Sequence, residues 1–588
     1  MPAYTLCPRD PLTRRFSLTC RVEMPDAAGQ CFSLPAWIPG SYLIRDFARH
    51  IVEIRAESEG RPVRLEKLDK STWQAAPTAK PLTLHYEIHA GELSVRAAYL
   101  DRNFAFFNAS SVFLYPHGQE NKPCQVELLP PETGRAGWEV ATSLPRRGAR
   151  RNHGGFGLYR AKDYAELLDH PVLLGRLAEI PFTALGIPHR IILTGTTDYN
   201  RERLASDFGK ICASQMTLFG KPQITEPYTF LVLLTDSGHG GLEHRNSSVL
   251  LAGHDGLPPA HLPENVAAPE PYGNFLSLAS HEYFHRWNVK RIRPEALAQN
   301  EWQRENYTRL LWFFEGVTSY YDTLCLVRAG LITESDYLSR LGRTMTQVRQ
   351  TPGRHWQSLA DASFDAWIKY YRPDENSPNA QISYYSKGAL LALWLDLELR
   401  LKSLGKISLD DLMRVLWQEY GAEERPLAEE EIFRLVLRLG GTDTARMLKT
   451  LVEGTGDLPL EQSLARVGVR LNWRAAEKTL WLGIRATTEQ GKTRITHVLA
   501  GSPAEQAGLI AGDTLLALAG REVGSSLPAI LARMQAGKTV SCHYFRGGLL
   551  AETKVCPAMP PAETAVLTPI SGLRAKNRRA NWLKAALL

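Results

Sequence analysis

The eight cysteines of this chain (Cys7, Cys20, Cys31, Cys124, Cys212, Cys325, Cys542 and Cys556) include no C-x-x-C pair. That argues against thiolate metal sites and a disulfide framework, and for reduced, mostly buried thiols. No stretch approaches the ~20 uninterrupted apolar residues that a membrane span needs. The opening "MPAYTLCPRDPLTRRFSL" lacks a charged start followed by an apolar run, so no secretory signal is read and a cytoplasmic location is expected. Charge is nearly balanced: 69 Lys+Arg against 62 Asp+Glu leaves +7. The basic residues are not gathered with aromatics into a stripe, which makes nucleic acid an unexpected partner. No internal repeat is evident.

What is present is ordinary globular composition, 44% hydrophobic and 22% charged, over 588 residues. A single core stops growing near ~250–300 residues, so several domains are expected. Residues 1–168 show short alternating runs such as "FSLTCRVEM" and "LTLHYEIHA" split by Gly, Pro and Asp, which read as an all-β domain. Within it, "WIPGSYLIRDFARH" reads as a surface turn, with a place in a substrate cleft as the alternative. The basic run "PRRGARRNHGG" reads as a solvated loop. In 169–470, buried strands ("HRIILTG", "YTFLVLLTD") precede a long helical body, an α+β domain of catalytic size. Strands and turns return in 471–560. The tail 561–588 is proline-rich and then basic, a short amphipathic helix that docks on the body or, as the less favoured alternative, lies on a membrane surface.

The chemistry concentrates in "SHEYFHRW", residues 280–287. Residues i and i+4 share one helix face, so His281 and His285 can present two imidazole nitrogens to one ion, with Glu282 on the side where a general base is needed. Two separately partnered histidines would fit the string equally well. A third group decides: Glu315 lies 315 − 285 = 30 residues on, inside "LLWFFEGVTSYY". A carboxylate buried among aromatics needs a partner. His281, His285 and Glu315 would form a three-ligand zinc site with an open position, one ion per chain, where Glu282 activates the attacking water. "SYYSKG" opens a helix with Tyr384 and Tyr385, and a phenol there can hydrogen-bond an oxyanion. "GHGGLEHRNS" follows a strand. Gly240 and Gly241 would let its backbone run beside an extended peptide, with Glu243 facing the peptide's α-ammonium.

Together, "HEYFHRWNVKRIRP", "LWFFEGVTSYY" and a C-terminal segment containing "LAGSPAEQAGLIAGDTLLALAG" resemble the glycyl aminopeptidase family of PDZ-containing metallopeptidases, distant relatives of aminopeptidase N. The resemblance covers most of the chain. It implies a thermolysin-like fold for the catalytic domain, a PDZ-like fold for 471–560, and zinc ligation by His281, His285 and Glu315. It further implies Glu282 as general base, Tyr385 as the oxyanion tyrosine that precedes Lys-Gly, and Gly240, Gly241 and Glu243 in the exopeptidase motif. Leu242 and His244 stand where those relatives carry Met and Asn, and the interval between ligands is about ten residues longer.

The expected activity is zinc-dependent removal of small N-terminal residues, Gly or Ala, from peptides. The small-residue preference is implied by the resemblance alone. The alternatives are a PDZ-guided endopeptidase or processing protease and a non-catalytic peptide-binding scaffold. "LWLGIR" (480–485) offers amides to a peptide C-terminus, and a purely structural PDZ-like module is an equal reading.

Overall fold

The computed structural model describes residues 1–132, 137–147, 153–195, 198–220, 223–263, 266–475 and 479–584. Of the basic run at 145–155, residues 148–152 lie outside the described residues. So do 585–588 of the tail.

The N-terminal domain is two layers of β-sheet around one core. Its larger sheet has seven strands, with Ala3–Asp10 and Arg15–Val22 at the centre. Along Arg15–Val22, Phe16, Leu18, Cys20 and Val22 are buried and the intervening side chains are less so, the period-2 pattern of a half-buried antiparallel strand. The opposing layer is two four-stranded sheets. One contains Val172–Gly175, paired with both Phe104–Phe107 and Glu139–Thr142. The β layer therefore runs past residue 168.

The catalytic body starts with a five-stranded mixed sheet in the order Leu177–Ala184, Ile187–Thr194, Tyr228–Thr235, Ser247–Gly253, His239–Glu243. Tyr228–Thr235 pairs in parallel on both sides and is buried over seven of its eight residues, as expected of a strand covered on both faces. His239–Glu243 is an edge strand. Helices pack on this sheet in a continuous core. Glu270–Phe284 turns Tyr272, Phe275, Leu276, Ala279 and Tyr283 inward, a stripe at helical spacing. Leu311–Arg328 is buried over most of its length and runs through the centre.

Its crossing with Ser386–Lys402 is a backbone contact. A Cβ on Gly316 would stand 2.6 Å from the Cα of Gly388, and a Cβ on Gly388 would stand 2.7 Å from the Trp312 carbonyl oxygen. Glycine is required at both positions for the two helices to approach this closely.

The C-terminal domain is a six-stranded sheet over 484–555 with the short helices Pro503–Gln506 and Leu527–Leu531 and its own small core. Asn379 ties it to the body, donating to the Val498 carbonyl and accepting from the Ala500 amide, each at 2.8 Å. The flanking strands Val469–Ala475 and Ala562–Pro569 pair with each other. This ribbon lies on the helix Glu334–Arg349, where the Ala565 amide donates to Thr346 Oγ1 at 2.9 Å. The terminal helix Leu573–Leu583 docks on the body: Trp582 is fully buried and its indole N–H donates to Tyr320 Oη at 2.9 Å. Among the described residues no helix is long and apolar enough to cross a membrane.

Gly316→Ala forces the two central helices apart and should destabilise the protein by about 1–3 kcal/mol. Urea unfolding checks this; an unchanged midpoint would mean that the crossing is not tightly constrained.

Candidate metal centre

Helix Glu270–Phe284 and its C-cap bring the two histidines together, with their Nε2 atoms 3.1 Å apart. Helix Leu311–Arg328 supplies Glu315, whose Oε2 lies 3.5 Å from His281 Nε2 and 3.3 Å from His285 Nε2. The far side of each ring is held separately. His281 Nδ1 lies 3.3 Å from Asp322 Oδ2, and His285 Nδ1 lies 2.7 Å from the Asn288 carbonyl oxygen. Asn288 is itself fixed, donating to the Phe314 carbonyl and Thr318 Oγ1 at 3.1 Å each.

This arrangement fits a metal. With Nδ1–H directed at an acceptor, each imidazole turns an Nε2 lone pair inward, where it meets the other lone pair and a carboxylate. Three acceptors converging in a buried space require a cation. Donors about 2.0–2.1 Å from a tetrahedral ion stand roughly 3.4 Å apart, close to the separations above. A second donor group, Glu243, Glu282 and His285, overlaps the first, but it holds one imidazole and two carboxylates where the first pairs two imidazoles.

Gly241, Glu243, Glu282 and Tyr385 line the same cleft of about 720 Å³, whereas Gly240 and Tyr384 do not. Glu282 is buried against the edge strand, where a Cβ on Gly241 would collide with its carboxylate. One of its oxygens, Oε2, has no hydrogen-bond partner. Burial pushes this carboxyl up to about 7, against the pull of His281 and His285. Burial acts on Glu315 the same way, yet His285 and His281 reverse it and hold that carboxyl below its usual range. Tyr385 precedes the helix Ser386–Lys402, with its ring 6.2 Å from that of His281 and its hydroxyl 3.2 Å from Tyr371 Oη. Burial raises the Tyr385 phenol well above its usual range, so it stays protonated. Tyr384, its neighbour, is fully buried, stacks on Tyr385 and meets Tyr370 at a tilt of 50°.

Glu243 is buried at the end of the edge strand. Gly240 and Gly241 precede it, the latter on the cleft wall. His244 turns away, with its Nδ1 3.3 Å from Asp169.

The structure adds residues that were not among the site candidates, and for the Pro-Gly turn it favours the alternative reading, a place in the cleft. The Pro-Gly turn of the N-terminal domain is part of the cleft: Gly40, at φ +95°, would place a Cβ 2.5 Å from a Glu243 carboxylate oxygen. Arg96 of the same domain and Tyr371 also line it. Asp322 follows Glu315 by 322 − 315 = 7 residues, two helical turns on the same face. That spacing was a usable signal; Gly40 and Arg96 had none beyond the turn itself.

A cluster of metal donors beside an edge strand, on a helical body behind a β domain, defines a metallopeptidase. The sequence profile described as "Peptidase M61 N-terminal domain" matches residues 3–176, that of "M61 glycyl aminopeptidase" matches 274–391, and that of a PDZ domain matches 494–541. The chain is similar to an aminopeptidase N family protein from Idiomarina loihiensis, with 36% identity over 100% of both chains and a TM-score of 0.94. An M1 zinc metallopeptidase from Deinococcus radiodurans is a more distant likeness, 13% identical over 78% of this chain and 94% of that one, with a TM-score of 0.48. No curated protein sequence matches. The chain belongs to the M61 glycyl aminopeptidase family and is a metallopeptidase.

Asp322→Asn should weaken metal affinity about 10–100-fold through His281, whereas Glu315→Gln should abolish stoichiometric retention. Chelator competition with metal analysis checks both; full retention in Glu315→Gln would remove Glu315 from the donor set.

Proposed function

We propose that the protein removes the N-terminal residue from peptides, glycine or alanine by preference, at one zinc ion held by His281, His285 and Glu315. The observation that carries this reading is Glu243. Its carboxylate is buried beside the donor cluster, and among the described residues it has no ion pair with a basic side chain. An α-ammonium is the cation that fits there, and it would hold the first peptide bond over the metal. The family's description as glycyl aminopeptidases supports the small first residue.

Zinc, when bound, acts as a Lewis acid on the substrate carbonyl and lowers the pKa of water. The chain's own groups do the rest. Glu282, raised by burial, takes a proton from the attacking water and passes it to the nitrogen of the leaving amine. The protonated Tyr385 hydroxyl donates to the oxygen that gains charge at the scissile carbon. Asp322 and the Asn288 carbonyl keep both imidazoles in the tautomer that turns Nε2 inward. The edge strand lets the peptide lie extended beside it, and Glu243 sets its register.

The PDZ-like domain supports a second peptide contact. Its strand Ile484–Glu489 is at a sheet edge, next to Leu482 and Gly483, whose amides would meet a terminal carboxylate. The free state of all eight cysteines supports a reducing, cytoplasmic setting.

Glu243→Ala should raise KM for free-amine peptides about 30-fold or more, and leave N-acetylated peptides as poor as before. Steady-state kinetics on both series checks this; equal changes in the two would sink the exopeptidase assignment.

A further inference from the structure

We infer that Arg96 is a recognition residue for the free carboxylate of a dipeptide substrate, an inference that rests on the aminopeptidase reading above. Arg96 reaches into the cleft from the N-terminal domain. Its Nη2 donates to the Gly241 carbonyl at 3.3 Å, and its Nη1 lies 3.8 Å from where a Gly240 Cβ would stand. Nε is buried without a partner. Among the described residues no carboxylate pairs with this guanidinium. The neighbouring cation Arg45 donates to Ser41 Oγ at 3.1 Å and pairs with Glu92 at 3.7 Å. Burial first, and then the charge of Arg96, holds Arg45 below its usual range. Arg96 thus brings to the cleft wall a guanidinium that has no ion pair of its own among the described residues.

Position along the strand gives that charge a meaning. His239–Glu243 is the last strand of its sheet, so one side of it has no neighbouring strand. A peptide extended along that side advances about 3.3 Å per residue, as the strand does. With its ammonium at Glu243, the peptide's second residue lies level with Gly241, where Arg96 sits. In a dipeptide that second residue carries the terminal carboxylate. The guanidinium fork suits it, and its planar donors keep their geometry where a lysine would not. In a longer peptide the same place holds a neutral amide, which gains less from the charge. Glu243 and Arg96 then measure the substrate from both ends, and the favoured class is the dipeptide with a small first residue.

A purely structural role, with Arg96 fastening the edge strand to the N-terminal domain through Gly241, makes a different prediction. The test compares glycyl-alanine with glycyl-alanine amide on the zinc-loaded wild type, Arg96→Gln and Arg96→Lys, with thermal unfolding to verify folding. The wild type should favour the acid by about tenfold or more in kcat/KM, expressed in KM. Arg96→Gln should cleave acid and amide with equal kcat/KM, and Arg96→Lys should keep part of the preference. An acid-to-amide ratio that is the same in wild type and Arg96→Gln overturns the inference. Calorimetric binding of the same two ligands to Glu282→Gln protein, with and without Arg96→Gln, decides the matter independently of turnover. If the wild type cleaves neither ligand, the aminopeptidase reading fails, while a binding preference for the acid that vanishes with Arg96→Gln still upholds the carboxylate contact. Equal binding of acid and amide to the Arg96-containing protein rejects it.

Discussion

Three electron pairs pointed at one another, from His281 Nε2, His285 Nε2 and Glu315 Oε2, are the constraint on which the rest of the structure depends. In a buried space such a cluster is unstable without a cation, because the mutual repulsion of acceptors is not screened by water. The surroundings hold the cluster in place from outside. Asp322 and the Asn288 carbonyl occupy the outer nitrogens, and Asn288 is locked in turn by the Glu315 helix. The histidine helix and the glutamate helix are thus joined by hydrogen bonds that set the inward tautomer.

The remaining geometry follows from close backbone approaches. Gly316 and Gly388 let the Glu315 helix touch the helix that begins after Tyr385, so the carboxylate and the phenol are placed by one crossing. Gly241 lets Glu282 lie against the edge strand, and Gly40 lets the N-terminal domain close over Glu243. At each of these points a methyl group would push a chemical group away from the cleft. Small residues here serve distances between functional side chains more than flexibility. The N-terminal domain is accordingly a wall of the site as well as a neighbour of the body, through Gly40 and Arg96.

Much of this was legible in the sequence, for identifiable reasons. The i,i+4 histidines declare a shared helix face, and a glutamate set among Trp312, Phe313 and Phe314 declares a buried charge in need of a partner; the structure brings these groups to one point. Alternating strands and helical periods separated the β-rich, helical and C-terminal β regions, because burial imposes its period locally. What stayed hidden is non-local. Nothing near Arg96 in the chain marks it as facing Gly241, 241 − 96 = 145 residues on. The pairing of Val469–Ala475 with Ala562–Pro569 encloses the PDZ-like domain, and no period in either strand names the other. The turn at Gly40 read first as surface, with the cleft only as the alternative, because its partner, Glu243, is distant in sequence.

The central claim is the position of the metal, and anomalous diffraction at the zinc edge from crystals of zinc-loaded protein measures it directly. The account predicts one peak within bonding distance of His281 Nε2, His285 Nε2 and Glu315 Oε2, with Glu243 left free for an ammonium. A peak shared instead by Glu243, Glu282 and His285, the overlapping donor group, would contradict it. It would take both the general base and the amine anchor out of the roles given to them here.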